Sequence, residues 1–102
     1  PWVQVTAEGN PIVSRIGIGT GCACDIEVFR QMGCDCSIVC DYGSCYWAGI
    51  QRADDVGHPV IRVNHGTSEE PGLVSLTQYI HHHLPGLRAE HFPHGSTFRL
   101  LG

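Results

Sequence analysis

The sequence predicts an α/β domain with three layers, in which strands and helices alternate around a mainly parallel sheet. Short apolar, β-branched runs recur along the 102 residues, and each is followed by apolar residues at spacings of three and four. Glycines stand where the helical patterns stop, at Gly33 and Gly57. Strands joined through helices pair in parallel, because such crossovers are right-handed. Residues 1–102 are predicted to form one domain, with residues 1–11 as an N-terminal extension.

The predicted elements follow one another in a regular order. Within the extension, Trp2, Val3 and Val5 predict a short edge strand. The alternation then comprises a strand at 12–18, a helix at 25–32, a strand at 36–40, a helix at 45–56, a strand at 59–63 and a helix at 72–84.

Composition excludes some function classes and favours a compartment. The net charge is −4 and all six basic residues are arginines spread singly, whereas a nucleic-acid footprint needs clustered positive charge. No apolar run approaches the roughly 20 residues of a membrane span. Six cysteines without a secretion-signal pattern, in a fold that builds its own core, favour reduced thiols in the cytoplasm.

The candidate site follows from the predicted topology. Ligands of parallel sheets sit at the carboxyl ends of the strands, and the loops at 19–24, 41–44 and 64–68 leave those ends. His65 and Glu69 stand four residues apart, and imidazole and carboxylate groups are ligands for zinc, manganese or iron. Asp41 is predicted to orient a ligand or to act as a catalytic base. The metal-capable residues at this edge are Cys22, Cys24, Asp41, Cys45, His65 and Glu69.

Alternative interpretations use the same residues. Thr67 and Glu70 have the spacing of a capping box, so the acidic residues of this stretch are also explained by the start of a helix. Cys22 and Cys24 are alternatively thiolate ligands of a soft metal. Cys24, placed before Asp25 at a helix start, is alternatively a nucleophile with a lowered pKa.

Three segments together carry a family resemblance. Gly-Ile-Gly-Thr-Gly-Cys at 17–22, Ile-Val-Cys-Asp at 38–41 and Asn-His-Gly-Thr-Ser-Glu-Glu-Pro-Gly at 64–72 occur in this order. They resemble the C-terminal half of the Nif-three-like dinuclear-metal-centre proteins, across most of residues 12–84. The resemblance implies half of a two-part fold in which His65 and Glu69 bind the metal pair. Some members of the family are labelled type two GTP cyclohydrolase I, which implies a hydrolase that uses metal-activated water.

The sequence departs from the family in its ligand set. The family's remaining ligands, an adjacent His-His pair and an Asp, come from its first half and have no counterpart here. The resemblance therefore implies that a complete assembly, with two ions, needs a partner: further copies of this chain, as in the hexameric rings of the family, or a chain carrying the N-terminal half. A non-catalytic metal-binding or assembly module and a cysteine-based redox protein are the alternative functions.

Overall fold

The computed structural model describes residues 3–7, 12–95, 98–99 and 101–102. Contacts divide the chain into two compact units, Pro1–His65 and Gly66–Gly102. The elements are β1 (Val3–Thr6), β2 (Ile16–Ile18), α1 (Ile26–Gln31), β3 (Cys36–Cys40), a π-helix (Tyr46–Ile50), α2 (Gln51–Asp55), β4 (Val60–Val63) and α3 (His65–His83). No helix of the described residues is long and apolar enough to cross a membrane.

The strands form one four-stranded sheet in the order β1-β4-β3-β2. β3 pairs in parallel with both β2 and β4, as the crossover rule predicts. β1 pairs antiparallel with β4, placing Val3 opposite Val63 and Thr6 opposite Val60. The α/β prediction is therefore confirmed, but the sheet is mixed rather than mainly parallel. No single crossover helix joins β1 to β4, so the rule that predicts parallel pairing does not apply to these two strands.

The edge-strand prediction for the N-terminal extension is confirmed at Val3 and Val5, which lie in β1. Trp2, the third residue of that prediction, lies outside the described residues, as do residues 8–11. The strand predicted at 12–18 is shorter than expected, and Ile12 is 94% exposed. At Ser14 and Arg15, the backbone N–H groups donate to the Asp35 carboxylate rather than to a neighbouring strand.

The core lies around the central strand. Val39 and Cys40 of β3 and Val60 of β4 are almost fully buried, because β3 has a paired strand on each side. The helix predicted at 25–32 is confirmed as α1, and the Asp25 carboxylate caps it by accepting from the Glu27 and Val28 N–H groups. The hydrophobic core cluster consists of Cys24, Ile26, Val39, Cys40, Ile50, Ala53 and Val60.

The helix predicted at 45–56 is two different segments. The π-helix turns directly into α2, and π-helical turns are rare and concentrate at functional sites. This geometry places the Tyr46 ring 4.3 Å from the guanidinium carbon of Arg62. The Tyr46 hydroxyl donates to Gln4 Oε1 at 3.0 Å, so the π-helix is fastened to β1 and β4 of the same sheet.

The last predicted helix begins earlier than the sequence pattern indicates. α3 starts at His65 instead of residue 72, so Thr67 and Glu70 lie inside it and do not form a capping box. Pro71, which is most often a first-turn residue, is also inside the helix, where it removes one backbone donor. The histidines 81–83 form the exposed C-terminal end of α3.

His58 is buried at the opposite end of β3 from Cys40. His58 is 6% exposed, and its Nε2 lies 2.8 Å from Ser37 Oγ. Burial lowers the pKa of His58 below its ordinary 6.5, and the nearby positive charge of Arg30 adds to this effect.

The buried His58 makes stability depend on pH. Its folded-state pKa is depressed, so the unfolded chain binds more protons near pH 6 and unfolding is favoured as the pH falls below 6.5. We expect the urea midpoint, followed by circular dichroism, to fall between pH 7.5 and 5.5. The decline in the urea midpoint should be smaller in His58→Gln than in the wild type. In His82→Gln, which alters an exposed histidine, it should equal the wild-type decline. An equal decline in the wild-type and His58→Gln proteins would contradict this origin.

Candidate functional site

The carboxyl ends of β2, β3 and β4 meet at one edge of the sheet, as predicted. The Gly19 N–H donates to Ile38 O at 3.0 Å and holds the loop after β2 against β3. The same loop then packs against the loop after β3 so closely that a Cβ at Gly43 would collide with the Gly21 carbonyl oxygen. Gly43 is therefore required for this close approach.

Asp41 connects the ends of two strands. Its backbone N–H donates to Val63 O at 2.8 Å, which extends the pairing of β3 with β4 by one residue. Its Oδ1 accepts from the His65 N–H at 2.9 Å, and its Oδ2 accepts from Asn64 Nδ2 at 2.9 Å. Asp41 thus satisfies a backbone donor at the first residue of α3, which the helix itself leaves without a partner.

The ionisation of Asp41 reflects these contacts. Burial raises the pKa of this carboxyl, but the hydrogen bonds from His65 and Asn64 and the nearby guanidinium of Arg62 outweigh it, so the pKa lies below its usual value. Arg62 Nη2 also donates to the backbone oxygens of Asp41 and Ser44, at 3.1 and 3.3 Å. Asp41 is therefore an anion in a fixed position at neutral pH.

His65 lies where these loops come together. Its half-buried ring has its centroid 5.5 Å from that of Tyr42. A Cβ at Gly21 would lie 3.5 Å from His65 Nε2, so the glycine backbone passes directly beside the imidazole. Gly21 has a φ of +55°, a left-handed conformation that favours glycine.

The cysteines of this edge differ in their environments. Cys24 and Cys40 are buried, with Sγ atoms 3.7 Å apart, whereas Cys22 and Cys45 are exposed. Burial raises the pKa of the Cys24 thiol, so the interpretation of Cys24 as a nucleophile with a lowered pKa is wrong. All six cysteines are free thiols in the structure.

The predicted site residues come together only in part. Asp41 and His65 are joined by a hydrogen bond, while Glu69 is an exposed residue of α3, one helical turn after His65. The pairing of His65 with Glu69 at one metal ion stays a prediction. Over the described ranges of the chain, no group of three or more His, Cys, Asp or Glu side chains is placed to hold a metal ion.

The second unit contains a polar cluster that sequence reasoning missed. His91 Nε2 lies 2.7 Å from Glu70 Oε1, and the His94 N–H donates to both carboxylate oxygens of Glu70, at 3.2 and 3.1 Å. His91 is half-buried. No spacing rule links these partners, because they are far apart in sequence and His91 lies outside any regular element.

The chain matches no protein-family model, and comparisons with curated proteins and with solved structures find no match. The resemblance to the Nif-three-like family therefore stays a prediction. The function of this chain has to be inferred from the geometry of the sheet edge.

Among the polar residues of this edge, Asp41 is expected to cause the largest loss of folding stability when it is substituted. In Asp41→Ala, the His65 N–H and Asn64 amide lose their acceptor, and unpairing partly buried donors costs about 1–3 kcal/mol. Asn64→Ala leaves the bond to the His65 N–H in place and should cost less. Urea unfolding at pH 7 measures both. Equal destabilisation by the two substitutions would show that the bond to the His65 N–H contributes nothing.

Proposed function

We propose that this chain is a divalent-metal-binding module in which His65 and Glu69 provide ligands at the carboxyl edge of the sheet. The observation that carries the proposal is the fixed position of His65, whose backbone N–H is held by Asp41 at 2.9 Å. The proposal includes the three-layer half of a Nif-three-like fold and a cytoplasmic location. Both rest on the sequence resemblance and on the six free thiols.

The roles within the site follow from the hydrogen bonds. Both Asp41 oxygens already accept hydrogen bonds, so Asp41 is better suited to position His65 than to act as the predicted catalytic base. A ligand whose backbone is already fixed loses less conformational freedom when it binds an ion. Glu69 adds a carboxylate one turn later, at the spacing of two ligands on one helix face.

The helix terminus opposes this role weakly. The N-terminal end of α3 is the positive end of its dipole, which opposes a cation by about 0.3–1 kcal/mol. Asp41 places a negative charge at the same end and offsets the effect. This opposing term is small compared with the roughly 10–16 kcal/mol of a complete structural zinc site.

The donors fit a metal ion incompletely. Protein zinc sites use three or four protein ligands, and this edge offers His65 and Glu69. The remaining donors are proposed to come from a partner, either a second copy of the chain or a chain with the N-terminal half of the fold, which would complete a site for two ions. Zinc, manganese or iron bound there would act as a Lewis acid and activate a water molecule, the chemistry of a hydrolase.

Metal content tests the ligand assignment. We expect weak, stoichiometric binding of zinc or manganese to the purified chain, measured by elemental analysis after equilibrium dialysis. His65→Ala and Glu69→Ala should each lose this binding by at least about tenfold, since each removes one of two protein ligands. His82→Ala, which removes an exposed histidine of the same helix, is the matched control. If the metal content is unchanged in His65→Ala and Glu69→Ala but falls in Cys22→Ser, the ligands are thiolates and the assignment of His65 and Glu69 is wrong.

Assembly is the second expectation of the proposal. Because two protein ligands leave an ion under-coordinated, metal should favour association that brings further ligands. Sedimentation velocity at tens of micromolar should show a larger species with zinc than with a chelator, and His65→Ala should lose this difference. A chain that stays monomeric with zinc, with a chelator and with every candidate partner chain would contradict the need for a partner.

A further inference from the structure

Cys24 and Cys40 place two thiols side by side in the core. Their Sγ atoms are 3.7 Å apart, and the residues are 2% and 1% exposed. Cys40 is the last residue of β3 and Cys24 precedes α1, so the contact joins two segments of the fold. The Cys40 N–H also donates to Cys24 Sγ at 3.4 Å, which adds a backbone bond to the pair.

Both thiols use the same acceptor. Cys24 Sγ donates to the Gly21 carbonyl oxygen at 3.1 Å, and Cys40 Sγ donates to it at 3.0 Å. Convergence on one oxygen keeps the two sulfur atoms next to each other. Cys36, at the other end of β3, is also buried at 5% exposure, but the hydrogen bond of its thiol goes to the Ser37 backbone oxygen at 4.0 Å. Burial alone therefore does not pair the cysteines of this chain.

We propose that Cys24 and Cys40 are a redox-active pair that forms a disulfide by exchange with a low-molecular-weight disulfide, and that the exposed Cys22 is the point of entry. A disulfide needs its sulfur atoms about 2.05 Å apart, so the 3.7 Å separation closes through side-chain rotation and a small backbone shift. This inference concerns the thiols and is independent of the proposed metal site.

The exchange proceeds through three thiolate attacks. The Cys22 thiolate attacks one sulfur of the oxidant RSSR, forms a mixed disulfide and releases the first RS⁻. Cys24, after losing its proton, attacks the Cys22 sulfur of that mixed disulfide and releases the second RS⁻. Cys40, also deprotonated, then attacks the Cys24 sulfur and returns Cys22 to a thiolate. Two cysteines are oxidised, one RSSR is reduced, and the two protons lost by Cys24 and Cys40 end on the two RSH products.

An exposed relay speeds the exchange because the pair itself is shielded. Attack requires a thiolate, and burial raises the pKa of Cys24. Cys22 is exposed and lies two residues before Cys24 in the same loop. Exchange through Cys22 therefore does not require the oxidant to enter the core. The exchange should become faster as the pH rises, because each attack requires a thiolate.

The chain is well suited to a peptide-mapping test. It has no lysine, so trypsin cuts only after arginine. Trypsin therefore separates residues 16–30, which contain Cys22 and Cys24, from residues 31–52, which contain Cys34, Cys36, Cys40 and Cys45, and the cysteine variants assign any link between the two peptides. The folded protein is incubated with glutathione disulfide, alkylated, digested and analysed by mass spectrometry without reductant. We expect these two peptides to be joined in the wild type and to separate on reduction. The link should be lost in Cys24→Ala and in Cys40→Ala and kept in Cys36→Ala, the buried control from the same strand.

The wild-type digest can refute the pair, and the variants assign the link to Cys24 and Cys40. A link that is absent from the wild-type protein, or one that survives in Cys40→Ala, would overturn the proposed pair. Because the wild-type digest alone can fail this test, the proposal stays falsifiable whether or not the variants fold. In Cys22→Ser the same link should form more slowly and reach the same final extent. An unchanged rate would exclude Cys22 as the point of entry. Loss of the link in Cys22→Ser together with its retention in Cys24→Ala would show that Cys22 rather than Cys24 carries it.

Discussion

The geometry of the candidate edge depends on the hydrogen bonds of one carboxylate, Asp41. Its side chain accepts from Asn64 and from the backbone of His65, and its own N–H donates to Val63. The end of β3 is thereby tied to the end of β4 and to the first residue of α3. Hydrogen bonds to a charged acceptor are about twice as strong as neutral ones, which suits a carboxylate to this position. The lowered pKa of Asp41 keeps it charged through the physiological range.

A second set of contacts fixes the facing loop. The Gly21 carbonyl accepts from two thiols, packs against Gly43 and belongs to the residue beside the His65 ring. Oxidation of Cys24 and Cys40 would remove both thiol donors from this carbonyl at once. Leaving a partly buried carbonyl without donors costs free energy, so oxidation would favour a shift of this loop. The proposed disulfide would therefore affect the surroundings of His65 through a single backbone oxygen.

The sequence predicted the parts of the fold that depend on local pattern. The alternation of apolar runs and helical periods located β3, β4 and α1, and parallel topology placed Asp41 and His65 at one edge. The start of α3 was missed because Pro71 and Gly72 resemble a helix beginning. The donor at that helix start is satisfied by Asp41, which is distant in sequence. The antiparallel pairing of β1 with β4 was also missed, because no crossover helix connects these two strands and the local pattern does not indicate the partner of β1.

The side-chain partnerships were largely beyond the sequence. Spacing suggested Cys22 with Cys24, whereas the contact is between Cys24 and Cys40, because the strand end rather than the neighbouring residue faces the buried thiol. The same holds for Ser37 with His58 at the other end of β3. A buried pair of side chains therefore lies near each end of β3. In the Ser37–His58 pair, burial disfavours protonation of the histidine, and in the Cys24–Cys40 pair, oxidation would form a disulfide. Only the thiol pair lies at the edge where parallel sheets bind ligands, so redox chemistry and the proposed metal chemistry would act on the same loops.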